Sequence, residues 1–225
     1  QKITQVSLQA SMRVSAEHKL RENDEIIQTV ETSNKTELLM FSDKQNVYKI
    51  KCHDIPECKT SNIGEYLNNI LTMDADEKII YVTVSNEYKG YMLFAFENGK
   101  VAKVNMSAYE TKTMRKKLIN AYSSKFPLTG MMYIENDTDI VLVRDSDKAM
   151  LLNTALIPEK QTKTTAGINV YTLKKNSRLS RIMRKEDFVS EDIEYYRSGK
   201  IPGTGHFIID SDKTANNFPK QLDLF

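Results

Sequence analysis

The sequence predicts an all-β, propeller-like fold, and three observations carry that prediction. Four segments end alike: KITQVSLQA from Lys2, NVYKIKCHDIPE from Asn46, GKVAKVNMSAYE from Gly99 and KAMLLNTALIPE from Lys148 align on Val6, Ile50, Val104 and Leu152, separated by 44, 54 and 48 residues. A period in that range marks an array of supersecondary units, each needing neighbours to bury its apolar face. Short β-branched and aromatic runs precede the endings, three strands to a unit, and three strands with a joining segment fit one blade of a radial array.

In chain order, the first strand of a unit is expected at Glu25–Glu31, Lys78–Val84 and Leu128–Ile134, and the second at Glu37–Phe41, Tyr91–Phe96 and Asp139–Arg144. Polar turns follow at Asp43-Lys44-Gln45-Asn46, Glu97-Asn98-Gly99-Lys100 and Asp145-Ser146-Asp147-Lys148, whose short polar side chains and glycine suit tight hairpins. The aligned segment is the third strand. It alternates, with Val101, Lys103 and Asn105 on one face and Ala102, Val104 and Met106 on the other, as expected of a strand with one buried face. Ser107 to Lys125 and Ile157 to Leu173 are low in strand signal and read as connectors over the outer surface. Residues 1–185 form the repeat domain, and 186–225, including Ser198-Gly-Lys-Ile-Pro-Gly-Thr-Gly205, read as an extended, mildly acidic tail.

With 225 residues, 40% of them hydrophobic, the chain has enough apolar mass for a sizeable core. No run of about 18 apolar residues and no basic-then-apolar amino terminus occurs, which argues against a helical membrane span and a signal peptide. Gln1 stands in what reads as mid-strand, which points to a piece of a longer protein. Cys52 and Cys58 suit a reducing compartment and flank His53, but a metal site would need a fourth ligand, and a strand end and loop is the simpler reading.

The net charge of +2 conceals a division, because residues 186–225 hold eight acids against four bases and the remainder carries the excess of base. A basic body suits a polyanion, and an acidic tail competes with it. Lys49 and Lys103 fall at one register of successive third strands, with Lys51 beside the first. A lysine there either discourages sheet-edge aggregation or, recurring, belongs to a shared surface.

The first connector carries Lys112, Arg115, Lys116, Lys117 and Lys125 with no acid from Thr111 onward. Lys160 to Lys185 is also acid-free and carries Lys160, Lys163, Lys174, Lys175, Arg178, Arg181, Arg184 and Lys185. Two such runs at equivalent places make a positive rim, where each cation that neutralises a phosphate releases a counterion. Thr162, Thr164, Thr165 and the backbone around Gly167 would add neutral hydrogen bonds to phosphate. Catalytic constellations are lacking: there is no Walker loop, no Gly-x-Ser-x-Gly and no His-Glu-x-x-His, and His18, His53 and His206 are scattered. Asp74, Asp76 and Glu77 in MDADEK read as turn acids rather than a cation site.

LLMFSDKQNVYKIKCHDIPE (Leu38–Glu57), YMLFAFENGKVAKVNMSAYE (Tyr91–Glu110) and KTTAGINVYTLKK (Lys163–Lys175) together resemble the carboxy-terminal domain of bacterial type IIA topoisomerase A subunits, those of DNA gyrase and topoisomerase IV, over about residues 1–185. The resemblance implies a β-pinwheel of about four to five blades that exchange strands and an irregular carboxy-terminal tail. It also implies a basic edge that bends double-stranded DNA and presents it to a cleavage core. No catalytic centre is implied in this segment. ATP and Mg belong elsewhere in the parent holoenzyme, whose other parts are the rest of the A subunit together with the ATPase B subunit, in a cytoplasmic, nucleoid-associated setting. The gyrase Gln-Arg-Arg-Gly-Gly-Arg-Gly box corresponds to Val14–Arg21 here, which keeps His18, Lys19 and Arg21 without the arginine-glycine core and so favours a topoisomerase IV-like role or a divergent gyrase. The alternatives are a protein-interaction propeller without DNA binding, expected to show an apolar or mixed patch instead of a basic edge, and an enzyme with polar groups converging on a central channel.

Overall fold

In the computed structural model, the described residues are 1–3, 5, 25–26, 28–59, 62–85, 87–113 and 115–218. They form two compact units, one of Gln1–Tyr88 with Tyr109–Ala121, the other of Lys89–Ala108 with Tyr122–Phe225. The strands in chain order are β1 (Lys2–Ile3), β2 (Glu37–Ser42), β3 (Val47–Lys51), β4 (Glu65–Tyr66), β5 (Ile79–Ser85), β6 (Tyr91–Phe96), β7 (Lys100–Asn105), β8 (Lys117–Leu118), β9 (Leu128–Ile134), β10 (Asp139–Arg144), β11 (Lys148–Asn153), β12 (Glu159–Lys160), β13 (Ile168–Asn169), β14 (Leu179–Arg184) and β15 (His206–Phe207).

Three antiparallel hairpins, β2–β3, β6–β7 and β10–β11, are the repeated core. Their second-strand sequences, LLMF, MLFAF and IVLV, are apolar without alternation because both faces are covered, Leu39, Phe41, Leu93, Phe94, Val141 and Leu142 being fully buried. The turns require positive φ, taken by Gln45 in the first hairpin, Gly99 in the second and Asp145 with Ser146 in the third. At Gly99 a Cβ would lie 2.3 Å from the Tyr171 carbonyl oxygen, so that turn accepts only glycine.

The first strand of each unit does not join its own hairpin. Strand β5 pairs with β2, β9 with β6 and β14 with β10, so each completes the hairpin before it, and this is the strand exchange implied by the family resemblance. The three junctions are alike in detail. A register shift falls at Phe41/Ser42, Ala95/Phe96 and Val143/Arg144. The turn amides of Asp43, Glu97 and Asp145 donate to the carbonyls of Lys78, Pro127 and Arg178, just before the incoming strand. The Asp43 and Asp145 carboxylates also accept from the amides of Lys78 and Arg178, at 2.9 Å each. Proline at 127 has no amide hydrogen to offer, and there the turn carries Glu97 instead of aspartate.

Glu77 secures the first of these junctions. Its buried carboxylate accepts from Asn46 Nδ2 at 2.8 Å and from Tyr48 Oη at 2.6 Å, with Lys117 Nζ 3.9 Å away. Burial alone would raise its pKa, but the hydrogen bonds from Ser42, Tyr48 and Asn46 outweigh burial and bring it down to about 2. A carboxylate depressed in the folded state contributes stability that is complete above its unfolded pKa of about 4.3 and is lost as pH falls toward 2. Urea denaturation of the first unit is therefore expected to show about 3 kcal/mol less stability at pH 2 than at pH 7 from this group, and Glu77→Gln to remove that part of the dependence. An unchanged pH profile in the variant would contradict the assignment.

Several expectations are corrected. Among the described residues of Glu25–Glu31 no strand forms. By the exchange rule this segment should pair with the second strand of the hairpin to which β1 belongs, and the described residues hold no such strand; a lone strand is not stable in water. Instead the Gln28 side-chain amide bonds both the N–H and the carbonyl of Val82, and Gln1 does the same to Ile79, closing the outer edge of β5. The connectors are not strandless, since they contribute β8, β12 and β13. Residues 186–218 are folded and not extended. Phe188, Tyr196, Ile208 and Phe218 bury against Val141, Val143, Ala149 and Leu151, and the unit boundaries do not fall at residue 185.

Candidate nucleic-acid interface

The chain that leaves each third strand comes back to the edge of the preceding one, in two touches at three of the four edges. It first runs parallel for one or two residues, at Gln5↔Glu57, Lys103↔Glu159 with Val104↔Lys160, and Leu151↔Arg197, and then returns antiparallel at Ile3↔Glu65, Val101↔Ile168 and Ala149↔His206. Along β3 the described residues show the antiparallel return alone, the Lys49 amide bonding the Lys116 carbonyl and Val47 facing Leu118. The return positions keep the spacing of the sequence repeat, so the return is seen four times and the parallel touch before it three times. The segment before each return is a loop, whose described residues are 58–59 and 62–64, 111–113 and 115–117, 161–167, and 198–205, with Lys117 already on β8.

The loops share their chemistry. None contains an acid, and each carries cations: Lys59; Lys112, Arg115, Lys116 and Lys117; Lys163, with Lys160 just before it; and Lys200. Lys59, Lys112, Arg115, Lys116, Lys160 and Lys200 are exposed, while Lys163 is half-buried. Three loops end on a glycine with positive φ, Gly64, Gly167 and Gly205. A Cβ on Gly167 would stand 2.2 Å from the Val101 carbonyl oxygen, and one on Gly205 would stand 2.8 Å from that of Ala149. The glycine is thus what lets the returning backbone close on the strand edge.

Of the residues singled out by sequence, Lys112, Arg115, Lys116, Lys117, Lys160 and Lys163 lie on or beside these loops. Lys117 is half-buried, its ammonium 5.2 Å from the Tyr48 ring centre. Lys51 is half-buried at the end of β3. Lys174, Lys175, Arg178 and Arg181 lie before and within β14, outside the loop segments themselves; Arg178 is 3.7 Å from Glu97, and the Arg181 guanidinium sits 4.6 Å from the Phe218 ring centre. His18, Lys19 and Arg21 lie outside the described residues.

Lys49 and Lys103 are corrected most sharply. Their shared register suggests a common surface, yet they are only 6% and 4% exposed. Lys49 Nζ stands 3.4 Å from Glu37 and donates to the Tyr109 carbonyl at 3.2 Å and to Thr111 Oγ1 at 3.1 Å. Lys103 Nζ pairs with Asp137 and donates to the Thr154 carbonyl at 3.3 Å. Tyr88 and Tyr91 lie under the two ammonium groups, 4.9 and 4.5 Å from ring centre to nitrogen. Asp137 is held below its usual pKa because, although burial raises it, the bonds from Lys103 and Thr154 lower it more. The recurrence is therefore an internal pin. In the first unit it anchors the start of the 111–117 loop, and in the second the turn that precedes the next connector.

Loops 58–64 and 198–205 escaped the sequence reading because each has one cation and no charge run. The glycine one residue before the antiparallel return was the available signal. The acids of MDADEK are committed locally, Glu77 to the junction above and Asp76 to Lys44 at 2.5 Å. Cys52 is buried in the core of the first unit, and the Cys58 amide bonds the Gln5 carbonyl at 2.8 Å.

Hairpins completed by strands from the next unit, with short edge strands added by the connectors, define a β-pinwheel. No protein-family model matches the chain. It is 35% identical over 88 residues to the DNA gyrase A subunit of Mycoplasma pneumoniae, covering 39% of this chain and 10% of that one. It is 26% identical over 102 residues to the DNA topoisomerase 4 A subunit of Bacillus subtilis, covering 44% and 13%. Among solved structures, a C-terminal domain of DNA topoisomerase IV matches with a TM-score of 0.68 at 21% identity, over 83% of this chain and 59% of that one. A DNA gyrase A C-terminal domain matches with 0.56 at 17%, over 84% and 66%. The chain is thus similar in sequence to type IIA topoisomerase A subunits and in fold to their carboxy-terminal domains. It spans only 10–20% of the length of the curated relatives it matches. No helix among the described residues is long and apolar enough to cross a membrane.

Proposed function

We propose that this chain binds and bends double-stranded DNA on its outer sheet edges and, within a type IIA topoisomerase, delivers a DNA segment to the cleavage core. The observation that carries this reading is the acid-free, cation-bearing loop thrown out at one register of four successive third strands. Phosphates recur regularly along a duplex, and cations recurring along a protein edge answer them without reading bases. None of the loops contains the Gln-Arg-Arg-Gly-Gly-Arg-Gly series, which supports bending of a topoisomerase IV type over the wrapping associated with that box. The partners in this reading are duplex DNA, the remainder of the A subunit, and an ATPase subunit that brings ATP and Mg, in the cytoplasm.

Fluorescence anisotropy with a labelled duplex at several salt concentrations tests it. Binding should be insensitive to base sequence and weaken steeply with salt, log K falling by about 0.9 per phosphate neutralised for each tenfold rise in salt. Absence of binding at low salt, or binding that salt leaves unchanged, would overturn the proposal.

A further inference from the structure

One register position beside the loops is apolar where a sheet edge would ordinarily be polar. The residue after each antiparallel return is Tyr66, Ile119, Asn169 or Phe207, and three of these are large, apolar and exposed: Tyr66 by 49%, Ile119 by 65% and Phe207 by 62%. The equivalence is set by pairing, since Tyr66 faces Lys2, Asn169 faces Lys100 and Phe207 faces Lys148, while Ile119 follows Leu118, which faces Val47. Single exposed apolar residues need no explanation, but three at one register of separate sheets do. Sheet edges generally carry charge to avoid pairing with other chains, which makes the choice costlier still.

Each of the three stands two residues past a basic loop, with the exposed Glu65 between loop and ring at Tyr66. The ammonium of Lys2 lies 4.9 Å from the Tyr66 ring centre and that of Lys148 lies 4.2 Å from the Phe207 ring centre, so these rings also sit beside a cation. An apolar side chain beside a cation, as at Tyr66 and Phe207, matches a duplex in one particular way: phosphates meet the cation, and the apolar side chain meets sugars and base edges between them. Proteins that bend DNA toward the major groove press Phe, Ile, Leu or Met into the minor groove and partly unstack a base step.

We propose that Tyr66, Ile119 and Phe207 are apolar wedges set against the minor groove, which convert phosphate binding at the adjacent loops into a bend. This rests on the DNA-binding reading above and adds to it a division of labour: the loop cations supply affinity and its salt dependence, and the wedges supply curvature. Asn169 marks the one sheet edge without a wedge.

The test is energy transfer between dyes at the two ends of a duplex, on the full chain and on the triple variant Tyr66→Ser, Ile119→Ser, Phe207→Ser, with Asn169→Ser as control. The triple variant should keep the wild-type salt slope and lose about 20° or more of bend, while the control keeps the whole bend. A duplex carrying 2-aminopurine provides a second readout that needs no variant, because wild-type binding should brighten the probe where a step is unstacked. A wild-type chain that does not bind the duplex overturns the DNA reading and this inference with it. Binding with a bend that the triple variant retains, or without brightening at any step, overturns the wedges alone, and a triple variant that instead loses a protein partner assigns the patch to protein docking.

Discussion

Replacing Lys112, Arg115 and Lys116 together by glutamine should weaken duplex binding on the order of a hundredfold at about 0.1 M salt and lower the slope of log K against log salt by up to about 3. The three are exposed on the 111–117 loop, and none of their side chains contributes to the buried core. The loop does not depend on them for its shape. Its start is held by Lys49 through the Tyr109 carbonyl and Thr111, and its end by the Lys116 carbonyl, a main-chain group that the substitution leaves in place. The melting temperature should therefore stay at the wild-type value while affinity falls equally on unrelated sequences. A drop confined to one sequence would indicate base readout, and an unchanged slope would place the phosphate contacts elsewhere. Lys49 and Lys103 would make a misleading choice for the same experiment. Each is buried against a carboxylate, and removing one partner of such a pair costs about 3 kcal/mol in stability, so lost binding would report lost folding.

That contrast shows where sequence reading reaches its limit. The hairpins were legible because the central strands are covered on both faces, leaving uninterrupted apolar runs bounded by polar turns; Tyr91–Phe96, Leu128–Ile134 and Asp139–Arg144 match their expected bounds residue for residue. The strand exchange was not legible from pattern alone, since a strand's periodicity says nothing about which hairpin it joins, and only the family resemblance implied it. Alternation in the third strand identified two faces, and it was natural to leave the lysine face to water. The Tyr109 and Thr111 segment covers that face in the first unit, and a residue pattern carries no record of a covering element 60 positions away. The loop motif was half legible. Runs of lysine stand out, whereas the Gly64, Gly167 and Gly205 series emerges only once strand pairing fixes the register.

Truncation after Lys185 is the second large effect, and its sign reverses under the structure. Read as an acidic tail, residues 186–225 would be dispensable, and their loss would raise DNA affinity. As folded, residues 186–218 are a unit without a hairpin. After β14 it passes through the short helical turns Lys185–Asp187 and Ile193–Tyr196 directly to the two-touch return on β11 at Arg197 and His206, then to the helix Asp210–Ala215. On that route Phe188, Tyr196, Ile208 and Phe218 cover the Val141, Val143, Ala149 and Leu151 face of the last hairpin. The Tyr196 hydroxyl donates to Asp212 at 2.7 Å and accepts from the Ile209 amide, and Arg197 joins Asp139 on β10 to Glu194. Four buried side chains at about 2 kcal/mol each place on the order of 8 kcal/mol at stake, comparable with the whole stability of a domain. The truncated chain should therefore lose protection of the β10 and β11 amides in hydrogen exchange and unfold well below the wild-type temperature, with Lys200 lost from the candidate interface as well. Wild-type protection together with tighter DNA binding would show that the segment is a removable tail. The electrostatic question needs the fold intact: changing Glu186, Asp187, Glu191 and Asp192 to their amides keeps the buried residues and asks only whether these exposed charges oppose DNA. A rise in affinity there at unchanged melting temperature would assign the acidic stretch a damping role that truncation cannot reveal, because the same residues that carry the charge are threaded between those that close the sheet.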